Sequence, residues 1–202
     1  MRTPNNGGEW GILGGAFNPV HRGHIALASD IRAAKGSDGV LLVPSYIPPR
    51  KTVTGMADFE DRVRMLELAL ADDPTLQISR IESESDSPGY TLLTVQALKK
   101  RYPDVSFYFI IGADLLSEFS GWYEAEEILK ELPVVVGSRP GVALQLPDNL
   151  PRTRFTVYDT RLLDISSRDV RAAVAAGITS HELAKLLPEQ VADYILERGL
   201  YK

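Results

Sequence analysis

Short apolar runs at residues 10–13, 40–43, 76–81, 105–111, 133–137 and 155–158 alternate with stretches of helical spacing, and this alternation constrains the fold more than any other feature. Ile25, Ala28, Ile31 and Ala34 mark the first helix, which Gly36 to Gly39 ends. Helical patterns follow at 59–70, 91–101 and 124–130, and again from Arg168 onward, broken at Gly177 and Pro188 and closing at 191–198. Strands that alternate with helices predict an α/β fold: one doubly wound parallel sheet with helices on both faces. Such sheets bind ligands beyond the carboxyl ends of their strands. The loops after Leu13, Val43, Ile111 and Tyr158 are expected at that edge.

The length, 202 residues, and a hydrophobic content of 44% suit one such domain. Residues 1–9 are polar and read as a flexible leader, leaving 10–202 as the domain. With 27 acidic against 22 basic residues the net charge is −5, which argues against a nucleic-acid partner and for a small substrate. The absence of cysteine removes disulfides, thiolate catalysis and cysteine-ligated metals together. No apolar stretch approaches the ~20 residues of a membrane span, and the first residues lack a signal core. A cytoplasmic protein without a membrane partner is expected.

The chemistry concentrates in residues 14–24, Gly-Gly-Ala-Phe-Asn-Pro-Val-His-Arg-Gly-His, between the first apolar run and the first helix. Gly14 and Gly15 suit a tight turn with close backbone approach, and Asn18 with Pro19 a fixed one. His21 and His24 fall on one face of the first helical turn, where free N–H groups and the helix dipole favour phosphate. Zinc would want a four-residue spacing and a third ligand, so phosphoryl contact fits the pair better. Ser166 and Ser167, with Arg171 one turn on, can cap a helix and also form an anion site. Arg50 and Lys51 lie on a basic loop, 45–55. Asp114, at the end of a strand, suits a ribose hydroxyl or a helix cap. Trp122 and Tyr123 are an aromatic pair that packs in the core or covers a ligand. His181 opens a helix and is expected at the surface without a role.

The segment 14–24 resembles the Gly-Gly-x-Phe-Asp/Asn-Pro-x-His-x-Gly-His signature of nucleotidyltransferases. Residues 165–171, Ile-Ser-Ser-Arg-Asp-Val-Arg, resemble their second signature. From about Trp10 to Tyr201 the chain is similar to bacterial nicotinate-mononucleotide adenylyltransferases. That resemblance implies a Rossmann-like domain that joins ATP to nicotinate mononucleotide and releases pyrophosphate. It implies His21, His24 and Arg171 as catalytic residues, and Gly14, Gly15, Phe17, Asn18, Asp114, Ser166 and Ser167 as ATP contacts. Ala16, Lys51, Thr91, Trp122 and Tyr123 would hold the mononucleotide, with Trp122 stacked on the pyridine ring. Mg²⁺ would ride on the ATP phosphates without a protein metal site, and a homo-oligomer is compatible with the family.

Asn18 stands where the family more often has aspartate, Arg50 where it has histidine, and Arg168 where it has threonine or serine. Two rivals within the superfamily are a pantetheine-phosphate adenylyltransferase, with Thr-x-Gly-His, and a glycerol-phosphate cytidylyltransferase, with a different second motif. A non-catalytic nucleotide sensor would be expected to lack a histidine or Arg171. A dinucleotide-dependent oxidoreductase would need a Gly-x-Gly-x-x-Gly that follows no strand here.

Overall fold

In the computed structural model, which describes residues 4–47, 55–84, 89–138, 144–161 and 163–202, every strand of one sheet is parallel. The strands are β1 (Gly8–Gly15), β2 (Gly39–Pro44), β3 (Leu76–Ile78), β4 (Val105–Gly112), β5 (Val134–Ser138) and β6 (Phe155–Asp159). Their order is β3-β2-β1-β4-β5-β6, so the winding direction reverses between β1 and β4. The helices are α1 (Arg22–Lys35), α2 (Phe59–Leu70), α3 (Thr91–Arg101), α4 (Ala113–Leu116), α5 (Ala125–Glu131), α6 (Ser167–Ala175), α7 (Ser180–Leu186) and α8 (Glu189–Arg198).

Alternation along each strand sorts side chains between two cores. Trp10, Ile12, Phe107, Phe109 and Ile111 pack with Leu92, Val95 and Leu98 of α3 and with Ile128 and Leu129 of α5. On the other face Leu13, Val40, Leu42, Tyr108 and Ile110 meet Ala28 and Ile31 of α1, Met65 and Leu66 of α2, Val170 of α6 and Ile195 of α8. Helices therefore cover both faces, as the sequence pattern predicts.

Three boundaries differ from that pattern. Gly8 and Glu9, assigned to the polar leader, are the first residues of β1 and pair with Val105 and Ser106. Pairing to β4 outweighs their poor strand propensity. The third strand stops at Ile78, because after Ser79 donates to the Leu42 carbonyl the chain turns into a 3₁₀ segment at Ile81–Glu84. Gly14 and Gly15 continue β1 rather than forming a tight turn. The left-handed position belongs to Phe17, at φ 46°. Its buried ring crosses the space beside Gly15, where a Cβ would meet it at 3.4 Å. Phe17 holds this unfavourable backbone conformation because packing over-determines it.

Candidate active site

The carboxyl ends of β1 and β4 open onto a cavity of about 610 Å³, at the point where the strand order reverses. Gly14, Gly15, His21, His24, Asp114, Trp122, Ser166 and Ser167 line it, brought from five separate stretches of chain. Its volume is in the range of sites that enclose a nucleotide-sized ligand.

His21 is the N-cap of α1 and only 6% exposed. Its backbone N–H donates to His24 Nδ1 at 3.2 Å, and the two rings stack with centroids 3.6 Å apart. Phe17 meets the His24 ring edge-on at 5.0 Å. Because His24 Nδ1 accepts a hydrogen bond, its proton sits on Nε2, which makes that nitrogen a donor. Burial pushes the His21 pKa down to about 4. Burial, and then the charge His21 would carry, hold His24 well below the ordinary histidine value. Both rings are therefore neutral at pH 7. Gly23 leaves them room, since a Cβ there would come within 3.0 Å of His21 Nδ1.

The loop joining β1 to α1 is held by its acceptors. Arg62 of α2 donates from Nη1 to the Ala16 carbonyl at 2.8 Å and from Nε to the Ala57 carbonyl at 3.1 Å. Arg171 of α6 donates to the Asn18 carbonyl at 2.8 Å, and Ser167 Oγ to the Pro19 carbonyl at 2.9 Å. Asn18 Oδ1 accepts the Ala57 N–H at 3.0 Å and the Tyr201 hydroxyl at 2.7 Å. Burial keeps Tyr201 protonated, its pKa raised far above the ordinary tyrosine value. Burial likewise lowers the Arg62 pKa, yet a guanidinium stays charged. Donation to the Ala16 and Asn18 carbonyls thus brings two cationic side chains, Arg62 and Arg171, against the loop, a setting that favours an anion.

Not every residue expected at the site reaches the cavity. Ala16, Phe17 and Asn18 support its wall from behind: Phe17 and Asn18 are each 2% exposed. Ser166 caps α6, its Oγ accepting the Asp169 N–H at 3.1 Å and donating to Asp169 Oδ2 at 2.6 Å. The serine hydroxyls are thus engaged in structure, and α6 presents its N-terminal turn to the cavity. Arg171 lies in the next turn and braces the loop. Asp114 is exposed at the start of α4. Trp122 packs on Phe119 at 5.0 Å and Phe109 at 6.0 Å with part of its surface in the cavity. Thr91 opens α3 and the half-exposed Tyr123 stacks on Tyr90 at 4.5 Å, neither of them in the cavity lining. Arg50 and Lys51 lie outside the described residues. His181 is exposed, as expected.

Arg62, Glu82 and Tyr201 were not anticipated. Arg62 and its neighbour Asp61 interrupt the apolar face of α2 with buried charge, and that was the available signal. Nothing in the local pattern distinguishes Glu82 or Tyr201.

A model of the cytidylyltransferase-like family matches residues 12–173. The chain belongs to that family. Among its cytidylyltransferase-like relatives, a probable nicotinate-nucleotide adenylyltransferase of Gloeobacter violaceus is 38% identical over 201 residues, spanning 96% of this chain and 97% of the relative. One from Carboxydothermus hydrogenoformans is 39% identical, spanning 97% and 99%. The solved nicotinic acid mononucleotide adenylyltransferase of Plasmodium falciparum, complexed with NaAD, superposes with a TM-score of 0.76 at 22% identity over 96% of this chain and 97% of that one. That likeness supports the cytidylyltransferase-like fold. Among the described residues no helix is long and apolar enough to cross a membrane.

Proposed function

We propose that the protein transfers the adenylyl group of ATP to nicotinate mononucleotide, forming nicotinate adenine dinucleotide and pyrophosphate. The observation that carries this is the stacked pair of neutral imidazoles at the N-terminus of α1, inside the cavity at the β1/β4 switch point. The names of relatives 38–39% identical over nearly their full length support the choice of substrates.

The acceptor phosphate is mostly dianionic at neutral pH, since its second pKa is ~6, so the reaction needs no strong base. An acceptor phosphate oxygen bonds to the α-phosphorus of ATP as the bond from that phosphorus to the β-bridging oxygen breaks, and the electron pair leaves with pyrophosphate. His24 Nε2–H donates to the charge that develops on the phosphoryl oxygens, with His21 packed against its ring. A neutral donor of fixed tautomer needs no reorganisation during the step. The N-terminal turns of α1 and α6 add N–H groups and partial positive charge. Arg171 and Arg62 hold the loop that sets these distances. Mg²⁺, when bound with ATP, neutralises phosphate charge. The phosphate oxygens of ATP would hold that ion, as the resemblance to the family implies.

From the cavity lining, Asp114 would accept from a ribose hydroxyl and Trp122 would stack on a planar ring. Thr91 and the backbone near Tyr123 would read the nicotinate carboxylate. Each hydrogen bond to a charged group contributes ~1.5 to 3 kcal/mol, so two favour the acid over the amide by roughly 100-fold or more. The test is pyrophosphate release by purified protein with ATP, Mg²⁺ and a panel of phosphorylated acceptors that includes both mononucleotides. Release specific to the nicotinate form is expected. Failure to use it, with turnover on another acceptor, would overturn the assignment.

A further inference from the structure

Glu82 is a half-buried carboxylate that the reaction above does not use. It stands in the 3₁₀ turn Ile81–Glu84 on the way to α3. Its Oε1 accepts the Thr94 hydroxyl at 2.8 Å, and its Oε2 accepts the Tyr46 backbone N–H at 3.1 Å. Gly89 closes over it: a Cβ there would run into Oε2, and the Gly89 N–H donates to the Ile47 carbonyl at 3.0 Å. Burial raises the Glu82 pKa, while the Thr94 and Tyr46 hydrogen bonds and the charge of Arg62 oppose the rise.

Two segments far apart in the chain therefore converge on one side chain. Residues 45–47 follow β2. Residues 89–94 carry Tyr90, which stacks on Tyr123, and Thr91, which shares the first turns of α3 with Thr94. Thr91 and Tyr123 are among the residues assigned to the acceptor. The ATP side, at His21, His24 and the start of α6, makes no hydrogen bond to Glu82 among the described contacts.

We propose that Glu82 is a positioning residue for the acceptor nucleotide, tying 45–47 to 89–94 so that Thr91 and Tyr123 meet the nicotinate group together. The proposal rests on the adenylyltransferase reading. An ionised acceptor serving two donors is worth more than a neutral one, and once the carboxylate is gone the Thr94 hydroxyl keeps only its longer contact, 3.3 Å, to the Tyr90 carbonyl of its own helix.

Steady-state kinetics test it, with nicotinate mononucleotide varied at saturating ATP and then the reverse. Glu82→Ala should raise the acceptor KM about tenfold or more, as loss of charge-assisted hydrogen bonds predicts, and leave the ATP KM within about twofold. Glu82→Gln, whose amide can still accept from Tyr46 and donate to Thr94, should recover most of that loss. Thr94→Val should raise the same KM by about threefold, the cost of one hydrogen bond, and Thr94→Ser should not. Should Glu82→Ala fail to fold by thermal melting, the Thr94 pair carries the same test. Equal rises in both KM values, no change in either, or no recovery in the conservative variants would overturn the positioning role. A wild-type protein that turns over another acceptor but not nicotinate mononucleotide would instead overturn the acceptor assignment, and this proposal with it.

Discussion

His24 illustrates how one backbone hydrogen bond can decide the chemistry of a side chain. The His21 N–H occupies Nδ1, so the proton sits on Nε2, and burial keeps the ring from taking a second one. His24→Ala should lower kcat by roughly 100- to 1,000-fold, because one preorganised donor to developing charge contributes ~3 to 4 kcal/mol. A folded variant with near-wild-type turnover at saturating substrates would remove His24 from the reaction. Arg171→Lys tests geometry at equal charge: an ammonium meets the Asn18 carbonyl as a point charge, without the rigid planar fork that braces the signature loop. A clear loss of kcat/KM for ATP is expected, and unchanged values would contradict it. At this scale the histidines were legible because their spacing places them on one helical turn. The bracing role of Asn18 was not, because its partners Ala57 and Tyr201 are 39 and 183 residues away.

Among the elements, α6 serves two purposes with adjacent serines. Ser166→Ala removes the cap from the Asp169 N–H and should cost about 1 kcal/mol, which for a chain of this size lowers Tm by about 2–4 °C with little effect on kcat. Ser167→Ala should behave in the opposite way, with little change in Tm and a measurable loss of activity, since it releases the Pro19 carbonyl of the signature loop. Thermal melts and initial rates on the two variants check the contrast, and equal profiles would refute it. Periodicity located the helices because their buried stripes repeat at 3.6 residues. It misplaced the end of β3, which is set by pairing to a neighbour rather than by local preference. The glycines of the loop were misread for a similar reason: Phe17 takes the left-handed position through tertiary packing, which no local rule anticipates.

For the molecule as a whole, the buried histidines link stability to pH. Unfolded, they bind protons near pH 6.5, whereas in the native state His21 titrates at about 4 and His24 well below its ordinary value. Between pH 6.5 and about 4 the unfolded chain holds more protons, so stability is complete above this window and falls as pH drops through it. Glu82, raised by burial, works weakly the other way. Denaturant melts at pH 7, 6 and 5 should show a midpoint that declines steadily, with a shallower decline in His21→Ala, and a flat midpoint would refute the linkage. The alternating pattern dictated a parallel sheet, but the strand order, and with it the cavity between β1 and β4, depends on long-range pairing that no single segment encodes.

The hydrogen bond from Tyr201 to Asn18 has a further consequence during synthesis. The signature loop leaves the ribosome well before α6 and Tyr201, which brace it. Strands β1 to β5 can pair while the chain is still growing, but the loop gains its full set of donors only after residue 201 has emerged. A nascent chain stalled after β6 should therefore hold a formed sheet and bind ATP poorly.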